Sequence, residues 1–85
     1  MLSIELSGQA RRFLKGSEKT LSIRLIERIE ILGIDPFPTD VKRIVNRKEK
    51  IFRIRVGSYR IQYLVLYEKN LIFITDIDKR EKAYD

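Results

Sequence analysis

Apolar and polar residues alternate from the start: Leu2-Ser3-Ile4-Glu5-Leu6 has the two-residue period of a strand. The period then changes. Ser7 offers an N-cap, and Ala10, Phe13 and Leu14 fall on one helical face, so a short helix follows, with Gly16 to stop it. Ser17 is placed to cap a second helix, and Glu18 suits its dipole. Leu21, Leu25, Ile29 and Leu32 form the apolar stripe of that helix, widened by Ile26, and Gly33 followed by Pro36 ends it.

The second half reads as strands. Val41 to Val45 is a short one, and Asn46 to Lys50 is a polar, basic loop. From Ile51 to Val56 the chain alternates again. Gly57-Ser58 is a two-residue hairpin turn of the II′ kind, with Gly at the positive φ, and Tyr59 to Tyr67 is the returning strand. Asn70 closes a further turn before Leu71 to Ile77, which is rich in β-branched residues. The resulting order, β-α-α-β-β-β-β, predicts a single α+β domain over residues 1–85: an antiparallel β-sheet with an N-terminal helical hairpin packed on one face.

Strand alternation assigns the faces of the hairpin. Phe52, Ile54 and Val56, with Tyr59, Ile61, Tyr63, Val65 and Tyr67, face the helices. Arg53, Arg55, Arg60 and Gln62 share the opposite face, continued by Leu64 and Leu66. Three guanidinium groups on one small surface repel each other and lose rotamer freedom. Two readings account for them. An anion fills the cluster, since arginine forks fit phosphate oxygens bidentately; or Asp76 and Asp78 on the last strand pair with Arg60 or Arg53.

Charge sharpens the first reading. The 85 residues carry a net charge of +6. Between Lys42 and Arg60 stand eight basic residues, Lys42, Arg43, Arg47, Lys48, Lys50, Arg53, Arg55 and Arg60, against the single acid Glu49. A basic region so concentrated points to a polyanion, most simply nucleic acid. The chain has no cysteine and no histidine, which excludes disulfides, thiolate metal sites and the commonest general base, and no metal site is expected. No apolar run reaches the roughly 20 residues of a membrane span, so the reading is a soluble cytoplasmic protein.

The segment FRIRVGSYRIQYLV, followed by a strand and then DKREKAY, resembles the RelE/ParE superfamily of toxin–antitoxin toxins, and its RelE branch most closely. SIELSGQARRFLKG looks like the first strand and helix of that family, and RLIERIEILGIDPFPTD like its second helix and proline-bearing exit, so the resemblance spans nearly the whole chain. It implies an mRNA endonuclease, or interferase, that cuts ribosome-bound messages by attack of a ribose 2′-hydroxyl on the adjacent phosphate, without metal or other cofactor. It implies a cytoplasmic inhibitor of translation neutralised by a separately encoded RelB-type antitoxin, and ribosome and mRNA as its other partners.

Carried over onto this chain, the active-site basic residues of the family are Arg53, Arg55, Arg60 and Arg80, with Tyr84 as the tail tyrosine. Arg60 and Arg80 are expected to clamp the phosphate, Arg55 to orient the 2′-hydroxyl, and Tyr84 to stack on a base or handle the proton. The better-studied RelE enzymes place lysine where this chain has Arg53 and Arg55. Arginine donates well to developing charge but is a poor base, its pKa lying above about 12. Lys42, Arg43, Arg47, Lys48, Lys50, Lys79 and Lys82 are expected to track phosphates without reading sequence. Apolar Leu64 and Leu66 beside the positive field suit an acidic amphipathic antitoxin. The alternatives are a ParE-like toxin that inhibits DNA gyrase, and a catalytically disabled relative that binds RNA or antitoxin.

Overall fold

A computed structural model describes residues 1–44 and 50–79. Strand β1 (Ser3–Leu6) leads into helices α1 (Gly8–Gly16) and α2 (Lys19–Ile34); β2 (Lys42–Arg43), β3 (Ile51–Val56), β4 (Tyr59–Leu66) and β5 (Leu71–Lys79) follow, with a 3-10 turn at Tyr67–Lys69. The strands form one sheet in the order β1-β5-β4-β3-β2. Neighbours are antiparallel except β1 and β5, which run parallel. The α+β reading therefore holds, with one addition: the first strand crosses back to become an edge beside the last. Among the described residues no helix is long and apolar enough to cross a membrane.

The core lies between the helices and one sheet face. Leu25, Ile29 and Leu32 of α2 and Ala10 and Leu14 of α1 pack on Ile54, Ile61, Tyr63, Ile72, Ile74 and Ile77. The stripe read from the sequence is the buried one, but Ile26 is not part of it and stands 41% exposed. Tyr63 is fully buried and donates its phenol to the Pro36 carbonyl at 2.6 Å, which ties the loop after α2 to the sheet. That loop is held a second time by Arg28 of α2, whose guanidinium donates to both Asp40 oxygens at 2.6 and 2.7 Å.

Two punctuation residues, Ser17 and Gly33, act differently from their sequence reading. Ser7 does cap α1, accepting from the Ala10 amide at 3.1 Å. Ser17 does not cap α2. It closes α1 instead, donating its hydroxyl to the Phe13 carbonyl at 2.6 Å, and Glu18 takes the N-cap position without a side-chain bond. Gly33 does not end α2 but is buried inside its last turn: a Cβ there would lie 2.7 Å from the Leu2 carbonyl oxygen. The Leu2 amide donates to the Gly33 carbonyl at 2.8 Å, so the glycine lets α2 touch β1 backbone to backbone. Tyr67, read as strand, starts the 3-10 turn and is 65% exposed. Asn70 closes that turn at φ 53°, as its side chain allows.

The α1 N-terminus fixes β5. Ser7 donates to the Thr75 carbonyl at 2.7 Å, and its own amide donates to the Ile74 carbonyl at 2.9 Å. Beyond them, the Gln9 amide both donates to the Ile77 carbonyl (2.7 Å) and accepts from the Ile77 amide (2.9 Å). The chain leaves the sheet at Leu6, and Gln9 replaces the missing strand with its side chain.

Candidate nucleic-acid interface

The β3–β4 hairpin positions the arginines. Gly57 has φ 61° and Ser58 does not share the positive φ, which fits the II′ turn read from the sequence. The register pairs Arg53 with Gln62, Arg55 with Arg60, and Ile54 with Ile61. Directly opposed residues share a face, so Arg53, Arg55 and Arg60 lie together on the side away from the helices. A two-residue turn makes Val56 and Tyr59 the hydrogen-bonded pair. Arg55 and Arg60 thus form the next, non-hydrogen-bonded pair, where Cα atoms stand only ~4.5 Å apart. Like charges so placed are unfavourable unless counter-charge is near.

Some of that counter-charge comes from β5, and a bulge aims it. Gln62 pairs with Asp76 but Tyr63 pairs with Ile74, so Thr75 is an extra residue in β5. Its hydroxyl donates to the Gln62 carbonyl at 3.2 Å. Before the bulge, Ile72 and Ile74 face the core; after it, Ile77 does, and Asp76 and Asp78 turn to the arginine face. Without the extra residue the two aspartates would point into the core. Asp78 stands opposite Arg60, with Oδ2 3.5 Å from Nη2. The acid-pairing reading of the arginine face is therefore met at Asp78; among the described residues four cations, Arg53, Arg55, Arg60 and Lys42, share this face with Asp76, Asp78 and, on the edge strand β1, Glu5.

Exposure grades along the face. Arg53 is 5% and Gln62 7% exposed, Arg60 is half-buried, and Arg55 is open to solvent. A guanidinium as enclosed as Arg53 needs acceptors or opposite charge around it. Gln62 escaped the sequence reading as a site residue; its polar side chain opposite Arg53, on the arginine parity of β4, was the available signal.

The basic residues divide between the two faces. Lys42 pairs with Arg53 and joins the arginine face, whereas Arg43 pairs with Phe52 and turns to the other. Lys79 pairs with Tyr59 and also faces away from the arginines. Lys50 lines a recess with Phe37, Phe52 and Tyr67. The described residues expected to track phosphates are thus divided between the two faces of the sheet. Arg47, Lys48, Arg80, Lys82 and Tyr84 lie outside the described residues. Among the described residues, no three His, Cys, Asp or Glu side chains gather where they could hold a metal ion.

What this face can do chemically is limited and definite. Arginine forks at closely spaced strand positions donate several N–H groups to one phosphodiester and stabilise charge developing on it.

A curated protein of Methanocaldococcus jannaschii, provisionally named toxin RelE1, is 33% identical to this chain over 85 residues, covering 96% of the chain and 93% of that protein. The chain belongs to the RelE toxin family. Solved RelE structures agree with the fold. The toxin of the archaeal RelE–RelB complex from Pyrococcus horikoshii matches with a TM-score of 0.81 at 26% identity, covering 96% of this chain and 98% of that one. The isolated Escherichia coli RelE toxin gives 0.82 at 16% identity, over 98% of this chain and 88% of that one. The Mycobacterium tuberculosis RelBE2 complex gives 0.78 at 23%, over 93% and 98%. No family model matches the chain. The RelE assignment by resemblance therefore stands, and it covers the hairpin and helices alike.

Proposed function

We propose that this RelE-family chain is the toxin of a toxin–antitoxin pair and acts as a metal-independent endonuclease on ribosome-bound mRNA, halting translation in the cytoplasm. The observation that carries the reading is the convergence of Arg53, Arg55 and Arg60 on one hairpin face, with Lys42 beside them. In this reading the 2′-hydroxyl gives up its proton and attacks the adjacent phosphorus, the bond to the 5′-oxygen breaks, and the products are a 2′,3′-cyclic phosphate and a 5′-hydroxyl that takes up one proton as it leaves. Arg60, oriented by Asp78, grips the phosphate with Arg80; Arg55 orients the 2′-hydroxyl; Tyr84 stacks on a base or takes the proton. The first two roles use the bidentate geometry of guanidinium, and the last supplies what arginine lacks, a group able to exchange a proton. Structures of RelE relatives solved with RelB support a RelB-type antitoxin as partner.

Induction of the protein in a purified translation system, with mRNA ends mapped, tests this. Expected are cuts within ribosome-bound message, lost in Arg60→Ala and Arg80→Ala. Intact message with arrested supercoiling by gyrase would replace the reading with a ParE-like one. Intact message with retained RNA binding would make the chain a disabled relative.

A further inference from the structure

Among the described residues two aromatic side chains are exposed, Phe37 at 43% and Tyr67 at 65%. Both line one recess of about 470 Å³, together with Phe52, Lys50, Glu68 and Lys69. That volume is in the range of small-molecule sites, roughly 300–1,000 Å³. Its walls come from the loop after α2, the start of β3, and the end of β4 with the 3-10 turn; neither helix contributes a described residue to the lining. Phe52 faces the helix side of the sheet, so the recess lies on the reverse of the arginine face.

The fold holds these walls in place. The Tyr63 phenol pins the Pro36 carbonyl, which sets Phe37 against Phe52 with ring centroids 4.9 Å apart at 73°. Phe52 in turn lies 5.9 Å from the buried Tyr63 ring. Asn70, at φ 53°, closes the 3-10 turn by donating its amide to the Tyr67 carbonyl at 3.0 Å, so Tyr67 stands on a fixed backbone. Two rings held open to water leave flat apolar surface that another ring would cover.

Charge narrows the occupant. Lys50 and Lys69 are exposed beside these rings, with Glu68 among them. Aromatic faces next to ammonium groups suit an unpaired base and its phosphate. Glu68 repels a bare polyanion but accepts N–H donors, which every RNA base carries on its free Watson–Crick edge. In an acidic peptide the groups that suit the lysines are the groups Glu68 repels. A nucleotide keeps its phosphate apart from its N–H donors and satisfies both.

We propose that this recess holds one unpaired nucleotide of an RNA strand, its base packed against Tyr67 and Phe37, its phosphate on Lys50 and Lys69, and its Watson–Crick edge at Glu68. The inference rests on the RNA-directed reading above and adds a second contact, on the side of the sheet where no cleavage takes place.

The test is an NMR titration of the 15N-labelled full chain with a 2′-O-methyl RNA single strand of about four nucleotides, the low end of single-strand site sizes. That probe lacks the attacking hydroxyl and cannot be cut. Expected are saturable shifts at the Tyr67, Glu68 and Lys69 amides, and none there with inorganic tripolyphosphate. Tyr67→Ala should weaken the binding read at the Lys69 amide at least about fivefold, as loss of one base stack requires, and Tyr67→Phe should retain it. Thermal unfolding of both variants should match the parent, since Tyr67 lies outside the core. Equal shifts from tripolyphosphate, binding indifferent to Tyr67→Ala, or RNA shifts confined to the arginine hairpin overturn the proposal. So does an acidic, leucine-bearing peptide that shifts these amides where RNA does not. Shifts confined to the arginine hairpin leave the nuclease reading standing, whereas uncut message with the recess shifts intact sinks that reading alone.

Discussion

Gly33→Ala is a mutation whose sign follows from one distance. In the middle of a helix an alanine ordinarily gains about 1 kcal/mol over glycine. At Gly33 the new Cβ would lie 2.7 Å from the Leu2 carbonyl oxygen, inside the 3.0 Å that side-chain carbons keep from other atoms. The obstacle is backbone on both sides, so no flexible side chain can yield. Separating α2 from β1 stretches the Leu2 to Gly33 hydrogen bond, now 2.8 Å. Overpacking of this kind costs about 1–3 kcal/mol and the weakened bond about 1 more. After the propensity gain, the net is a loss of about 2 kcal/mol. For a domain of this size that lowers the melting temperature by roughly 8–16 °C. Gly16→Ala is the control: nothing lies within 4 Å of its Cβ and its φ is negative, so the same substitution should stabilise by about 0.4–1 kcal/mol. Thermal and urea unfolding, followed by circular dichroism on both variants, reads the pair. A Gly33→Ala protein as stable as the parent would refute the backbone contact and the placement of β1 under α2.

Three other outcomes follow from the buried tyrosine and the exposed arginine. Tyr63→Phe keeps the buried ring but strands the Pro36 carbonyl, which now accepts at 2.6 Å, and should cost about 1–2 kcal/mol in urea unfolding. Burial pushes the Tyr63 phenol above its ordinary 10.0, so the folded state holds the proton more tightly than the unfolded one; the tyrosine's stabilisation is whole below about pH 10 and is lost as pH rises past it, a slope that Tyr63→Phe should reduce. For RNA, Arg55→Gln should lower the slope of log binding constant against log salt by about 0.7, as loss of one phosphate contact on a single strand requires; an unchanged slope in filter binding would remove Arg55 from the interface.

The hairpin was legible from the chain alone because everything that defines it is local. Phe52, Ile54 and Val56 alternate with Arg53 and Arg55, Gly57 supplies the positive φ, and the pairing of Arg55 with Arg60 follows by counting outward from the turn. The stripe Leu25, Ile29, Leu32 was legible for the same reason, a fixed period within one element. Elements joined across long separations were not. The parallel docking of β1 on β5 links residues about 68 apart, and no local period records it. Gly33 read as a stop signal because a buried glycine and a terminating one look alike until the neighbouring backbone is in place.

The bulge at Thr75 is the instructive case. Its trace is present in the sequence, where Ile72 and Ile74 change parity to Ile77, but alternation cannot say whether a strand bulges or ends. The β4 register decides, and with it the side of the sheet on which Asp76 and Asp78 stand. The chain by itself therefore determined that three arginines share a face. Only the assembled sheet decided which acids meet them, and that Arg43, Lys50 and Lys79 look elsewhere, because a side chain's direction is set by its own strand but its company is set by the strands on either side.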